Sequence, residues 1–519
     1  MDIGRQVSRA GWRIVAVVVL LLLGSPGSHA QDAAKPAAPP KASPWSEKEA
    51  SGERGLRLRT DGACEGFTLL APLNSRQVHL VDLDGTVVHS WETGTVPGGS
   101  CELLPNGHLL RCGQEPDNPR FHGGGIGGRI EELDWDGHVV WQHVLAGADL
   151  TQHHEVQPLP NGNLLAIAWE YHPRDEVVAH GRDPAVMGDE GLWPDVILEL
   201  RPVQPEGAEV VWTWRTWDHL VQDRDPALPD YGVPAEHPGR IDLNADHRFD
   251  PPPQQESEEA RQQREEQERQ MRALGYVGGT DPAPPDAAQG PKKVADWLHT
   301  NSVDYEPDLD LIAVSSPHLS EIWIIDHSTT TAEAATGRGG RFGHGGDLLW
   351  RWGNPRNWGK GGEQDRRLFS QHDATWLPRG SGAAPHLLLF NNGGERPDGD
   401  HSEVLELVLP FDGHAFVREG DAAWGPMAPV WSYSDPGKFF SGFISGAQRL
   451  PNGNTLICSG APGHVFEVAT DGRVTWDYLN PLGGEVEPSE QGGKAPPKAL
   501  FRVQRVPQDS PGLAGRLGG

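Results

Sequence analysis

Apolar and polar residues alternate in short runs that break at turn residues, as in Asn163-Leu-Leu-Ala-Ile-Ala, and two turn signatures punctuate the pattern. One is Leu-Pro-Asn-Gly or a relative, at residues 104–107, 159–162, 377–380 and 450–453; the other is Asp-Gly followed by Trp, ending at Trp91, Trp141 and Trp476, with looser forms ending at Trp212, Trp350 and Trp431. Asn and Gly tolerate the positive φ that a tight hairpin needs, so each signature predicts a hairpin between half-buried strands. Two hairpins per repeat describe a four-stranded blade, and six Trp-ending segments predict an all-β, six-bladed β-propeller. Pairing of the stretch near residues 66–70 with Phe501-Arg-Val-Gln-Arg-Val would close the ring and hide both open edges.

The repeat spacing also sets the boundaries. The interval between the turn prolines Pro160 and Pro307 is about twice its neighbours, and the excess is polar and charged with almost no apolar stripe. It predicts an insertion at about residues 221–293, partly helical or disordered, whose protein partner is not defined by the pattern. Arg5, Arg9 and Arg13 precede the apolar residues 14–23 and a small-residue end at Ala30, the layout of a cleaved signal peptide over residues 1–30. The expected chain is therefore exported, periplasmic or extracellular, with no membrane span once mature. Residues 31–57, rich in Ala, Pro and Lys, read as a linker, residues 58–507 as the propeller and 508–519 as a tail.

Composition narrows the function classes. Lys plus Arg number 44 against 73 Asp plus Glu, a net charge of −29, which leaves no field to attract nucleic acid or an anionic membrane surface. With 65 Gly and 46 Pro, and 19 Trp against 6 Tyr, turns and strands are favoured over helices. The Trp series is expected to pack blades, and a ligand cage is the lesser option. Of the four cysteines, Cys101 and Cys112 sit symmetrically about Asn106-Gly107, so a cross-strand disulfide is one option.

Candidate chemistry follows from register. The inner strands of a propeller start near one end of the central channel, so equivalent positions of different repeats meet there. Six residues before each turn proline stand Gly99, His154, Asn301, His372 and Ser445, with His299 two residues before Asn301 on the same strand face and His153 a spare for His154. Converging neutral imidazoles serve as nucleophile or general base near neutral pH, or as ligands for Zn or Cu; no close-spaced metal motif favours the second.

These segments also carry a family resemblance. Asp296-Trp-Leu-His-Thr-Asn-Ser-Val-Asp-Tyr305, Gln371-His-Asp-Ala374 with Leu387-Leu-Leu-Phe-Asn-Asn-Gly393, and the two stretches 154–162 and 445–453 resemble the bacterial arylsulfotransferases. The resemblance implies a six-bladed exported enzyme that moves a sulfuryl group from an aryl sulfate to a phenol without a nucleotide donor, a metal or another cofactor. It implies His372 as the nucleophile that becomes a sulfohistidine, with His299 and His154 as acid/base groups and Asn301 and Ser445 as substrate-binding residues. Two positions depart from the family pattern: Pro317 replaces an Arg in Ser315-Ser-Pro-His318, and Asn391 replaces an Asp, still counted as substrate-binding. Arg449 or protonated His299 is the expected source of positive charge for the sulfate. The rival from another class is a non-enzymatic exported propeller that binds an extracellular ligand, metal or protein.

Overall fold

A computed structural model describes residues 46, 48–246, 295–379, 383–486, 496 and 498–517. The expected signal peptide, most of the linker and the insertion beyond residue 246 lie outside the described residues.

The described chain is all-β with two short helices, Arg174–Ala179 and Thr331–Ala334, in a propeller-like arrangement. Four sheets stand as separate blade-like units. One joins Phe67–Pro72, Gln77–Val81 and Val87–Glu92 to the last strand, Leu500–Val506, with Phe67 opposite Val506 and Thr68 opposite Arg505, the closure expected from the sequence. The second runs from Ser302–Glu306 to Trp350–Trp352 and the third from His372–Trp376 to Trp431–Ser434. The fourth runs from Gly446–Arg449 to Val474–Leu479 and gains Gly55–Arg59 on its outer edge. The remaining large sheet has eight strands. It consists of two antiparallel meanders, Pro97–Leu103 to Val139–Val144 and Leu150–Pro158 to Ala208–Arg215, fused by a single parallel pairing of Gly99 with His154. The expected separation into six sheets is thus not complete. Gly99 permits the fusion, since a Cβ there would lie 1.7 Å from the His154 carbonyl oxygen.

The inner strands Leu500–Val506, Pro97–Leu103, Leu150–Pro158, Ser302–Glu306, His372–Trp376 and Gly446–Arg449 adjoin one another in that order, and the last adjoins the first. Side chains five residues before the turn prolines stitch the cycle together. Ser100 Oγ accepts from Val156 N at 3.1 Å, Glu155 Oε2 from Val303 N at 2.9 Å, Ser302 Oγ from Ala374 N at 3.0 Å and Asp373 Oδ2 from Ala447 N at 2.8 Å. Each bond satisfies a buried N–H that no ladder reaches. At the periphery the indole N–H of Trp91 donates to Asp134 O, that of Trp141 to Gly207 O, that of Trp350 to Gly425 O and that of Trp476 to Leu83 O, each in the next unit along the chain or, for Trp476, in the first. The Trp series therefore packs units together, burying large apolar faces while its one polar atom is satisfied. Between them lies the core, as where Leu311, Ile322 and Trp350 meet Leu387, Leu405 and Leu407.

Three boundaries differ from the sequence expectation. Gly55–Arg59, whose first three residues fall in the expected linker, is a strand because its backbone completes the exposed edge of Val474–Leu479. The start of the insertion is packed: Leu220–Val221 pairs with Ile241–Asp242, and the buried Arg182–Asp246 ion pair at 2.8 Å anchors residues 243–246. In the tail, Leu513 is buried against Leu103 and Leu109. All four cysteines are free. Cys101 faces Arg111, so the hairpin is one residue out of the expected register and Cys112 points to the opposite face of the sheet.

Candidate active site

The register argument brings His154, His299 and His372 to one buried cluster. The His154 and His299 rings meet edge to face with centroids 4.5 Å apart, and His372 lies near enough to both that a proton on one ring disfavours a proton on another. His154 and His299 both hold φ at +54°, Asp373 at +56° and Ser445 at +92°. Left-handed backbone at non-glycine residues costs about 1–3 kcal/mol each and persists where surrounding structure enforces it. Here it turns side chains of the inner strands toward the cluster.

His372 is held in one tautomer. Its Nδ1 lies 2.8 Å from Asn392 Oδ1 and 3.0 Å from Ser370 O. Both are acceptors, because Asn392 uses its amide N–H groups on Ser441 O and Ile444 O. Nδ1 therefore carries the proton and the lone pair sits on Nε2, which is buried and without a partner. Burial, opposed by the Asn392 hydrogen bond, pushes the pKa of His372 down to about 3. His154 is also held well below the ordinary value, by burial first and then by His299. Gly125 makes room for it: a Cβ at that position would lie 2.1 Å from His154 Nε2.

His299 Nδ1 lies 2.5 Å from Asp296 Oδ2, and its ring stacks on His318 at 4.7 Å with 24° between planes. One ligand atom from each of Asp296, His299 and His318 falls within 4.8 Å of the others. The short Asp296 contact is that of a carboxylate orienting an imidazole.

The remaining sequence candidates divide. Asn301 donates to Gln371 O at 2.9 Å and so braces the peptide that carries His372. Ser445 accepts from Gly460 N and bonds Ser441, next to the loop that orients Asn392. Asn391 is a strut between Phe369 N and Arg367 O. Arg449 is not brought to the cluster: it pairs with Glu406 at 2.6 Å and lies over Trp431, four residues along its strand from Ser445, about 13 Å at strand rise.

Among the described residues the cation at the cluster is Arg502, which the turn alignment stopped short of. Pro507 is a further turn proline, and six and five residues before it stand Phe501 and Arg502. Arg502 grips Glu155 through two bonds of 2.6 and 2.9 Å and reaches Asp373 at 2.8 Å. These three charged side chains come from alternate inner strands, and the intervening strands offer Ser100, Ser302 and Gly446 at the same level. The alternation lets three large groups fill one layer of the axis. A Cβ at Gly446 would stand 2.2 Å from Asp373 Oδ2. Burial raises the carboxyls of Glu155 and Asp373, and lifts Asp304 and Glu102 to about 7. Burial opposes the Arg502 charge, but Asp373 and Glu155 outweigh it and raise the guanidinium pKa.

A family model described as Arylsulfotransferase (ASST) matches residues 64–476. The chain belongs to the arylsulfotransferase family. That membership supports an aryl sulfotransferase-type function in general, with aryl sulfates and phenols as the substrate classes. No curated relative matches the arylsulfotransferase chain. Among solved structures it is similar to a protein of unknown function from Bacteroides caccae, with 10% identity, 85% of this chain and 98% of that one covered, and a TM-score of 0.38. It is also similar to the periplasmic gluconolactonase PpgL of Pseudomonas aeruginosa, with 12% identity, 85% and 99% covered and a TM-score of 0.33. Values this low are silent on site and reaction. Among the described residues no helix is long and apolar enough to cross a membrane.

Proposed function

We propose that the protein is an exported six-bladed enzyme that moves a sulfuryl group from an aryl sulfate to a phenol through a sulfohistidine at His372. The closed cycle of six inner strands supports the blade count, with the eight-stranded sheet read as two fused blades. One observation carries the chemistry: the Nδ1 proton of His372 is committed to Asn392 and Ser370, which leaves a neutral, buried Nε2 lone pair. That nitrogen attacks sulfur, the S–O bond to the aryl group breaks and a phenolate leaves. The acceptor phenol then attacks the same sulfur, the S–N bond breaks, and the phenol proton passes to a neighbouring base. His154 and His299 stand nearest for that role, and Asn301 keeps the nucleophile strand in place.

Incubation with 4-nitrophenyl sulfate and an acceptor phenol tests this reading. The expected result is nitrophenolate release and a gain of about 80 Da on the peptide carrying His372, as a covalent intermediate requires. Full activity in His372→Ala would remove the nucleophile assignment. Pro317, at the position where the family resemblance expects Arg, favours the second reading, a non-enzymatic ligand-binding propeller. Ligand retention without turnover or labelling is its signature.

A further inference from the structure

His153 is fully buried and takes no part in the sulfuryl-transfer steps, yet it links a carboxylate to the cluster. Its ring stacks on Trp169 with centroids 4.1 Å apart and 11° between planes. Its Nε2 lies 3.1 Å from Asp195 Oδ1, and its Nδ1 lies 2.7 Å from His154 Nδ1. Adjacent residues of a strand ordinarily point to opposite faces. The left-handed φ of His154 breaks that alternation and brings the two rings together. Asp195, opposite Trp169 across the ladder, is buried and also accepts from Thr300 N at 2.8 Å.

The hydrogen bonds fix the protons. Asp195 accepts through both oxygens, so His153 donates from Nε2 and, when neutral, has its lone pair on Nδ1. Two lone pairs cannot face each other at 2.7 Å, so His154 donates from Nδ1. The His154 lone pair is then on Nε2, which is buried and without a partner. If His154 Nε2 takes a proton, its Nδ1 proton can cross to His153 Nδ1. One N–H bond forms at each imidazole, one breaks at His154, and the positive charge ends beside Asp195.

We infer that Asp195, His153 and His154 form a proton relay whose outer end, His154 Nε2, takes the proton of the acceptor phenol. His153 and Asp195 are positioning residues in it. The inference rests on the sulfotransferase reading and names the base that reading leaves open. Relay and reading fail differently: the reading predicts sulfation of His372 without acceptor, whereas the relay acts only on the second half-reaction.

The test uses His153→Phe, which keeps a ring on Trp169 but removes both nitrogens, together with Asp195→Asn and His153→Asn. Wild type and variants are mixed with 4-nitrophenyl sulfate alone, then with phenols graded in acidity. The expected burst of nitrophenolate is unchanged in all variants. Turnover with a weakly acidic phenol falls about 100-fold in His153→Phe and Asp195→Asn, within the range of general-base catalysis, and the loss shrinks to a few-fold with a phenol already ionised at the assay pH. His153→Asn, which still accepts from His154 Nδ1, recovers part of the loss. Equal losses with every phenol, or no loss with any, overturn the relay. A wild-type protein with no burst overturns the sulfotransferase reading and the relay with it. Should a variant fail to fold, ¹⁵N spectra of the wild-type histidines decide: the proton is expected on His154 Nδ1, and finding it on Nε2 at neutral pH overturns the assignment.

Discussion

Arg502→Met isolates what the axial charge layer does. Methionine keeps much of the volume and removes the charge, leaving Glu155 and Asp373, which are 3% and 5% exposed, facing one another without a cation. Breaking a buried pair by removing one partner costs about 3–5 kcal/mol, because the surviving charges remain desolvated. An unfolding entropy near 2.1 cal/mol/K per residue gives roughly 0.8 kcal/mol/K for a unit of about 400 ordered residues, so Tm should fall by about 4–6 °C at pH 7. Without Arg502 both carboxyls, already raised by burial, rise further above their unfolded values. A raised carboxyl contributes stability that is present below its unfolded pKa and lost as pH rises through the folded one, so the variant should regain part of its Tm at pH 5. Thermal melts of wild type, Arg502→Met and Arg502→Met/Glu155→Gln/Asp373→Asn at pH 5 and 7.5 provide the assay. The triple variant should melt above the single one at pH 7.5. A single variant as stable as wild type, or a triple variant no better than the single, would refute the charge-layer argument.

Two further outcomes rest on specific contacts. Asn392→Leu removes the nearer of the two oxygens that hold the proton on His372 Nδ1 and leaves Ser370 O alone to keep the tautomer; kcat is expected to drop about 100-fold, at the low end of the loss for a misplaced catalytic proton, with the fold intact by circular dichroism. His464 is opposed by burial, but hydrogen bonds to Asp477 at 3.1 Å and Glu49 at 2.8 Å raise its pKa to about 9. Its contribution, about 3 kcal/mol for a rise of that size, is fully present below pH 6.5 and lost as pH rises through 9. His464→Gln should therefore lower Tm at pH 6 and have little effect at pH 10.

What the sequence made legible was whatever repeats. Hairpin signatures gave the strand pairs, and a fixed count back from each turn proline found His154, Asn301 and His372 because blade symmetry turns equal register into proximity. The same count missed Arg502 twice over: it stopped short of Pro507, whose Val-Pro-Gln-Asp context lacks the Pro-Asn-Gly signature, and six residues before that proline stands Phe501, with Arg502 one further on. Asp195 and Asn392 had no such signal. Each lies off the inner strands and acts on the cluster through a side-chain hydrogen bond that depends on how neighbouring strands pack. Arg449 failed as the sulfate cation for a distance reason: it shares a strand with the site but sits at the far end of it, where Glu406 takes its charge.

The charges at the cluster bear on which ester it accepts. Among the described residues the guanidinium at the cluster, Arg502, is held by two carboxylates, and burial pushes the pKa of His372 down to about 3 and that of His154 well below its ordinary value. Pro317 brings none. Such a set of groups suits an ester with one negative charge, gathered by hydrogen-bond donors, and penalises a second charge that nothing offsets. A sulfate monoester carries one charge; a phosphate monoester carries nearly two at pH 7, its second pKa being about 6. Burying an unmatched charge costs several kcal/mol, and about 3 kcal/mol is already roughly 100-fold in rate. Turnover of 4-nitrophenyl phosphate at pH 7.5 should therefore be at least about 100-fold below that of 4-nitrophenyl sulfate, and the gap should narrow at pH 5, where the phosphate is mainly a monoanion and His372 is still neutral. Equal turnover at pH 7.5, or a gap that does not respond to pH, would mean that a cation other than these reaches the substrate.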